Sequence, residues 1–372
     1  MGLTLMEGNE VIAWAAYEAG CRFFAGYPIT PATTIYNTML RLLPPDGGIV
    51  LQGEDEIASI GYCLGASMSG WKAMTATSGP GISLYSESIS FAIGSEIPIV
   101  IVDVQRLGPS TGSATKGADG DIQFMRWGNS GGLPVIVLAP SDVADCFPIT
   151  MHAFNLAEQY RCPVFVASNK EIGLTSESVD FAGLERVPVV SRLLAPDGQP
   201  FVPFRPATGS DVPYFLPFGA NALVRQTSST HGENGYITTD PAAIRAANER
   251  MDRKLTANVD RFSYYQEEPV ADAETLVVTY GVTSRAARVA CRELNKRGKK
   301  VGLLVLKTLF PVAQNVIRRA ASNVKRVLVV EMNQGQYALE VDRVLKSHQV
   351  EFVGAMDGKL ISPSRIMEAI SG

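Results

Sequence analysis

The run Ile99-Val100-Ile101-Val102, within Pro98–Gln105, is apolar at every position and leads into Arg106-Leu107-Gly108-Pro109-Ser110-Thr111-Gly112-Ser113-Ala114-Thr115-Lys116-Gly117. A strand with one wet face alternates apolar and polar side chains. A continuous β-branched run is buried on both faces, as in a parallel sheet covered by helices. Val135-Ile136-Val137-Leu138 reads the same way. Working outward, strands are predicted at Arg22–Tyr27, Ile49–Gln52, Lys72–Thr77, Val135–Leu138 and Pro163–Ala167. Helices are predicted at Gly8–Ala19, Pro31–Leu43, Glu56–Met68, Leu84–Gly94, Asp119–Trp127 and Val143–Tyr160. This alternation is that of an open α/β sheet.

From about Glu171 to Pro269 the rhythm stops, and prolines and glycines cluster in Pro196-Asp197-Gly198-Gln199-Pro200 and again over Pro203–Pro217. A long structureless stretch inside a compact domain is unusual. The segment therefore reads as a linker wrapping over a neighbouring surface, with one charged helix near Pro241–Leu255. The alternation resumes at Glu274, with strands at Leu276–Tyr280, Val301–Leu306, Val327–Val330 and Val350–Val353. For 372 residues, two domains are expected at roughly 100–200 residues each. The expected division is an α/β domain over 1–190, a wrapping linker over 191–269 and a smaller α/β domain over 270–372, both sheets open and mainly parallel.

Composition narrows the function. Hydrophobic residues make up 46%, which excludes a disordered chain. Charged residues are 19%, below the roughly 25% usual in soluble domains, so part of the surface is expected to face other protein. The 33 Lys+Arg against 37 Asp+Glu leave a net charge of −4, with no basic excess to neutralise phosphates, so no nucleic acid is expected as partner. Five scattered cysteines form no CxxC pair, which argues against zinc ribbons and locally ligated iron–sulfur clusters. With no secretory leader they read as reduced cytosolic thiols, so a cytoplasmic location is expected. No apolar stretch of about 18 residues predicts a membrane span. His152, His231 and His348 have no metal-ligand spacing, and no metal ligands are expected in this chain.

In doubly wound sheets, ligands bind beyond the carboxyl ends of the strands. After the first predicted strand comes Gly26-Tyr27-Pro28-Ile29-Thr30-Pro31. Thr30 is placed to cap a helix with Pro31 at its first position, and its hydroxyl also suits an anion at a helix start. After the second comes Glu54-Asp55-Glu56 before Ile57-Ala58-Ser59-Ile60-Gly61. These acids favour the helix macrodipole, and one of them projected into a dry site would have the raised pKa of an acid–base group. After the third, Ser78-Gly79-Pro80-Gly81 is neither GxGxxG nor GxxxxGK[ST]. It reads as a tight turn or as backbone that approaches a ligand closely. The loop after Gln105 is rich in glycine and hydroxyls and carries Arg106 and Lys116. A guanidinium directly after a buried strand offers a planar fork to a carboxylate. No GxSxG elbow is present.

Four segments, Tyr27-Pro28-Ile29-Thr30-Pro31, Glu54-Asp55-Glu56-Ile57-Ala58, Thr75-Ala76-Thr77-Ser78-Gly79-Pro80-Gly81 and Gln105-Arg106-Leu107-Gly108-Pro109-Ser110-Thr111-Gly112, stand in this order. Together they resemble the alpha subunits of 2-oxoacid:ferredoxin oxidoreductases, most closely the 2-oxoglutarate type. Thr279-Tyr280-Gly281 and Val330-Glu331-Met332-Asn333-Gln334-Gly335-Gln336 look like that subunit's C-terminal domain. The resemblance implies a thiamine diphosphate pyrimidine-binding domain followed by a transketolase C-terminal-like domain. It also implies oxidative decarboxylation of 2-oxoglutarate to succinyl-CoA, or the reverse, with coenzyme A as substrate and ferredoxin as electron partner. A beta subunit is implied to supply the diphosphate and Mg²⁺ site and a [4Fe–4S] cluster, in an α2β2 assembly containing two copies of this chain. Ala118-Asp119-Gly120-Asp121 lacks the Gly-Asp-Gly start of a diphosphate site, which fits such a division of labour.

By the same resemblance, Glu56 matches the glutamate that hydrogen-bonds the aminopyrimidine ring and promotes its imino tautomer, with Glu54 and Asp55 as competing assignments. Tyr27, Pro28, Ile29 and Gly79 match cofactor contacts, and Thr30 and Arg106 match the groups that hold the substrate's 1-carboxylate. Lys116 is assigned to the distal carboxylate from charge and loop position alone. Leu107 stands where many relatives have Gly, and Asn129-Ser130-Gly131 where some have a His-bearing turn. A non-redox lyase or transketolase-like subunit and a non-enzymatic 2-oxoacid-binding scaffold are the competing readings.

Overall fold

The computed structural model describes residues 2–372. Its strands are β1 (Leu3–Glu7), β2 (Phe23–Gly26), β3 (Ile49–Gln52), β4 (Ala73–Thr77), β5 (Ile99–Gln105), β6 (Ile136–Leu138), β7 (Pro163–Asn169), β8 (Ser176–Asp180), β9 (Tyr265–Glu268), β10 (Thr275–Tyr280), β11 (Val301–Leu306), β12 (Thr308–Phe310), β13 (Arg326–Glu331) and β14 (Gln349–Gly354). A seven-stranded sheet has the order β12-β6-β7-β5-β4-β2-β3, parallel except where β12 joins β6. A five-stranded sheet has the order β14-β13-β10-β11-β9, with only β9 antiparallel. β1 and β8 form a separate antiparallel ribbon.

β5 occupies the middle of the larger sheet, and all its residues are buried. Val100, Val102 and Val104 enter one core, with the helices Gly8–Glu18 and Cys146–Tyr160. Ile99 and Ile101 enter the other, with Glu56–Met68 and Ser86–Gly94. The two-sided burial read from the apolar run is what the sheet shows.

Four strands carry no such run. β8 (Ser-Glu-Ser-Val-Asp) and β9 (Tyr-Gln-Glu-Glu) lie within the segment expected to hold none. They are half-exposed edge strands, held by their ladders rather than by apolar periodicity. β1 and the three-residue β12 are likewise edge additions. β12 comes from the C-terminal part of the chain but completes the first sheet, pinned by Lys307 Nζ to Asp145 Oδ1 at 2.6 Å.

Residues 181–240 hold isolated bridges such as Leu194↔Phe215 but no helix or strand. Buried arginine tethers fix this strap to the first sheet's layer. Arg192 donates to both carboxylate oxygens of Glu158 at 2.7 Å and to the carbonyls of Ser67 and Trp71. Its guanidinium also lies 4.5 Å over the Phe215 ring. The strap ends in the helix Pro241–Thr256, whose Asp240 cap accepts from Ala242 and Ala243. Glu96, fully buried, receives Arg250 Nη2 at 2.5 Å and Lys254 Nζ at 2.7 Å from that helix. Burial alone would raise the Glu96 carboxyl, but Lys254 and Arg250, with Arg161 nearby, hold it down to about 2.

Candidate functional site

From β2 the chain moves outward to β3, then returns past β2 to β4 and on to β5. The reversal opens a crevice between β2 and β4 at their carboxyl ends, where open α/β sheets take ligands. The loops after β2, β4 and β5 meet there.

Arg106, 5% exposed, joins all three loops. Its Nη1 donates to the Thr30 carbonyl at 2.6 Å and its Nη2 to the Thr111 carbonyl at 2.9 Å. Its Nε is buried without a partner, and a Cβ on Gly79 would stand 3.3 Å from it. Gly79 has φ +45, a backbone that disfavours any side chain. The loop after β5 closes on itself, with Ser113 N donating to Leu107 O and Leu107 N to Lys116 O, both at 2.8 Å. Gly112, at φ +49, makes that closure possible, because a Cβ there would lie 1.8 Å from Leu107 O.

The three acids after β3 take separate places. Glu54 is exposed, Asp55 caps the helix by accepting from Ala58 N at 2.7 Å, and Glu56 is buried as the first helical residue. Gly81 lies against Glu56: a Cβ there would stand 2.9 Å from Glu56 Oε1 and 2.0 Å from Thr77 Oγ1. Behind them the Tyr85 hydroxyl meets Thr75 Oγ1 at 2.8 Å. Burial pushes that phenol well up, and Glu56 adds to the shift.

The other expected residues divide. Tyr27 is 40% exposed at the crevice mouth, while Pro28 and Ile29 are half-buried. The expected Thr30 cap is not formed. The helix starts at Thr33 with Ala32 at its cap position and no side-chain cap bond. Pro31 instead belongs to the preceding turn, because Asn9 Nδ2 holds both the Pro31 carbonyl at 2.8 Å and Thr34 Oγ1 at 2.7 Å, and Ala32 N donates to Ile29 O. Thr30 therefore offers its carbonyl to Arg106 and leaves its hydroxyl exposed. Lys116 lies at the far end of the loop, exposed, with its stem against Gly358, and does not join the Glu56–Arg106 cluster.

The structure adds acids the loop reading passed over. Asp103 interrupts β5's apolar run and is fully buried, facing Asp121. Asp119 accepts from Asn169 Nδ2 at 2.8 Å, and burial pushes its carboxyl up to about 7 against that bond. Asp119 also binds the loop after β13: its N–H donates to Met332 O, and Asn333 Nδ2 donates to its carbonyl at 2.8 Å. Gln336 Nε2 reaches Gly120 O at 2.6 Å. The segment 331–336 thus clamps the loop that carries Arg106. Only the interruption of an apolar run by an acid marked Asp103 in sequence.

Thr77 Oγ1, Ser78 Oγ and Arg106 Nε are buried polar atoms without partners around a turn that only glycine fits. Open hydrogen-bonding capacity at such a cradle fits a flat polar ring beside Glu56 and an anion beside Arg106. Among the described residues no group of three or more His, Cys, Asp or Glu side chains is arranged to hold a metal. A separate cavity of about 360 Å³ between the strap and helix 241–256 has its charges already paired: Arg250 with Glu96, Arg253 with Asp211 and Glu233 with Arg205.

A profile of the family described as pyruvate flavodoxin/ferredoxin oxidoreductase, thiamine diphosphate-binding, matches residues 14–250, and one described as pyruvate:ferredoxin oxidoreductase core domain II matches 273–366. The 2-oxoglutarate synthase subunit KorA of Methanocaldococcus jannaschii is 41% identical, with 100% of each chain covered. The ketoisovalerate oxidoreductase subunit VorB of Methanothermobacter thermautotrophicus is 34% identical over 100% of this chain and 97% of that one. The 2-oxoglutarate:ferredoxin oxidoreductase from Magnetococcus marinus, solved with 2-oxoglutarate, coenzyme A and succinyl-CoA bound, superposes with a TM-score of 0.95 at 32% identity. That match covers 100% of this chain and 65% of that chain. A split-gene transketolase shares the fold, with a TM-score of 0.59 at 14% identity. With two adjoining profiles and full-length relatives in agreement, the chain belongs to the pyruvate flavodoxin/ferredoxin oxidoreductase family of thiamine diphosphate-binding subunits.

Proposed function

We propose that this chain is the alpha subunit of a thiamine diphosphate-dependent 2-oxoglutarate:ferredoxin oxidoreductase. It acts in the conversion of 2-oxoglutarate and coenzyme A to succinyl-CoA and CO₂ with reduction of ferredoxin, or in the reverse direction. The observation that carries this reading is the convergence of Arg106, Glu56 and the Gly79–Gly81 cradle at the sheet's switch point. Relatives named for 2-oxoglutarate also stand above those named for ketoisovalerate in identity, 41% against 34%.

The cofactor, when bound, supplies the electron sink that makes loss of CO₂ feasible. This chain's residues do the positioning. Glu56 holds a proton at the edge of the pyrimidine ring, with Asp55 fixing the helix start and Gly81 leaving room for the carboxyl. Tyr27, Pro28, Ile29 and Gly79 shape the ring's wall. The Thr30 hydroxyl and Arg106 hold the substrate's 1-carboxylate. A beta subunit supplies the diphosphate site, Mg²⁺ and a [4Fe–4S] cluster, in an α2β2 complex located in the cytoplasm. Among the described residues no helix is long and apolar enough to cross a membrane.

The decisive experiment is reconstitution. The isolated chain should not reduce ferredoxin or a viologen with 2-oxoglutarate and coenzyme A, whereas the complex with its beta subunit should. Activity of the isolated chain would sink the proposal. Arg106→Ala in the complex is expected to raise the KM for 2-oxoglutarate about 10- to 100-fold, the worth of a charge-assisted hydrogen bond. Steady-state titration checks it, and an unchanged KM would remove Arg106 from substrate binding. Gly81→Ala pushes a methyl into Glu56 Oε1 and Thr77 Oγ1. It is expected to weaken thiamine diphosphate binding by about tenfold or more, the cost of overpacking a filled site. Calorimetric titration of the complex measures it.

A further inference from the structure

Gln105 and Leu107 flank Arg106, and both are bonded to the segment 116–121. Leu107 N donates to the Lys116 carbonyl at 2.8 Å. Asp121 N donates to Gln105 Oε1 at 3.0 Å, and Gln105 Nε2 in turn donates to Ser168 O at 3.2 Å. The segment 116–121 is therefore a collar around the base of Arg106. A shift of the collar moves the backbone on either side of the guanidinium.

The other side of the collar is held by the second sheet, through the turn Asn333-Gln334-Gly335-Gln336 that follows β13. Asp119 N donates to Met332 O at 2.9 Å. Asn333 Nδ2 donates to the Asp119 carbonyl and to the Tyr280 hydroxyl, both at 2.8 Å. Asn333 Oδ1 accepts from Gly335 N and Gln336 N, both at 2.9 Å. Gln336 Nε2 donates to the Gly120 carbonyl at 2.6 Å, and Gln336 Oε1 accepts from Gln123 N at 2.9 Å. Gln123 Nε2 closes the pair by donating to the Gln336 carbonyl at 2.8 Å. Both ends of both amides are thus used, and a satisfied network of this kind specifies one geometry. Behind it, the Tyr280 hydroxyl donates to Glu331 Oε2 at 2.9 Å, which fixes the direction from which Asn333 approaches.

We propose that Asn333 and Gln336 are positioning residues for Arg106. They hold the collar at Asp119 and Gly120, and through it they set the aim of the guanidinium at the substrate's 1-carboxylate. The C-terminal part of the chain thereby takes part in substrate binding without touching the substrate. This inference rests on the assignment of Arg106 to that carboxylate.

A second tether provides the control. The Lys307–Asp145 pair also joins the two parts of the chain, but it lies at the start of helix Cys146–Tyr160, where Asp145 holds Ser141. It should contribute to stability and leave substrate binding alone.

The test uses the complex with its beta subunit and steady-state kinetics. Gln336→Met keeps the length of the side chain and removes both ends of its amide. It is expected to raise the KM for 2-oxoglutarate about fivefold, the worth of roughly one hydrogen bond. The KM for coenzyme A and the affinity for thiamine diphosphate should not change. Lys307→Ala should lower the unfolding temperature and leave the KM for 2-oxoglutarate at its wild-type value. In an Arg106→Ala background, Gln336→Met should add no further rise, because its effect passes through the guanidinium. An unchanged KM in Gln336→Met would overturn the inference. So would an equal rise in Lys307→Ala, which would mark a general loosening, or an effect that adds in full to that of Arg106→Ala. If Gln336→Met does not assemble, Gln123→Met removes the facing amide and is judged by the same outcomes. An unchanged KM in Arg106→Ala alone would instead overturn the assignment of Arg106, and this inference with it.

Discussion

Glu56→Gln in the assembled complex is expected to lower turnover by about 10²- to 10⁴-fold, the range of a single general acid–base contribution. Gln keeps the shape and one acceptor of the carboxyl but cannot exchange a proton. Glu56 is 7% exposed at the start of helix Glu56–Met68. The helix start is held by the Asp55 cap, which this change leaves in place. Subunit assembly should therefore stay at wild-type levels, with the unfolding temperature lowered at most by the loss of about 0.3–1 kcal/mol from one charge at a helix start. Stopped-flow reduction of ferredoxin, with size-exclusion chromatography as the control, measures both halves. Undiminished turnover would remove Glu56 from the chemistry, and equal loss in Glu54→Gln, an exposed neighbour, would point to a general charge effect.

The second large effect concerns stability. Glu96→Ala leaves Arg250, Lys254 and Arg161 buried around the space vacated by their shared carboxylate. Breaking a buried pair by removing one partner costs about 3–5 kcal/mol. The loss should concentrate on helix Pro241–Thr256, which ought to become the first segment cut by protease. Arg253→Ala removes a pair in which the arginine side chain is 56% exposed, and should cost no more than about 1 kcal/mol. Acid adds a second handle. The Glu96 carboxyl is depressed to about 2 in the folded chain, against about 4.3 unfolded. Its contribution is thus complete above about pH 4.3 and disappears as pH falls through about 2. Between those limits, the stability gap between wild type and Glu96→Ala should narrow steadily with falling pH. A gap that does not change with pH would contradict the ion cluster as its source.

The larger sheet was legible because β4, β5 and β7 are buried on both faces and are mostly apolar. The loops that meet at the crevice followed from the rule about strand ends. Polar edge strands such as β8 and β9 escaped, since a backbone ladder asks little of side chains. The start of helix Thr33–Leu42 was misplaced because Thr-Pro is a valid local signal, yet Asn9, 22 residues away from Pro31, decides the turn. Glu96 and Arg250 stand 154 residues apart, so no window along the chain pairs them. Asp103 breaks an apolar strand, but its neighbour Asp121 comes from the turn before helix Ile122–Trp127, which only the fold brings alongside.

Strand β12 has a mechanical consequence. Because the C-terminal part inserts Thr308–Phe310 beside β6, the larger sheet is not self-contained. Swinging one against the other would peel that strand away and strip β6 of its outer neighbour. Rigid-body rocking between the two layers is therefore a costly motion for this chain.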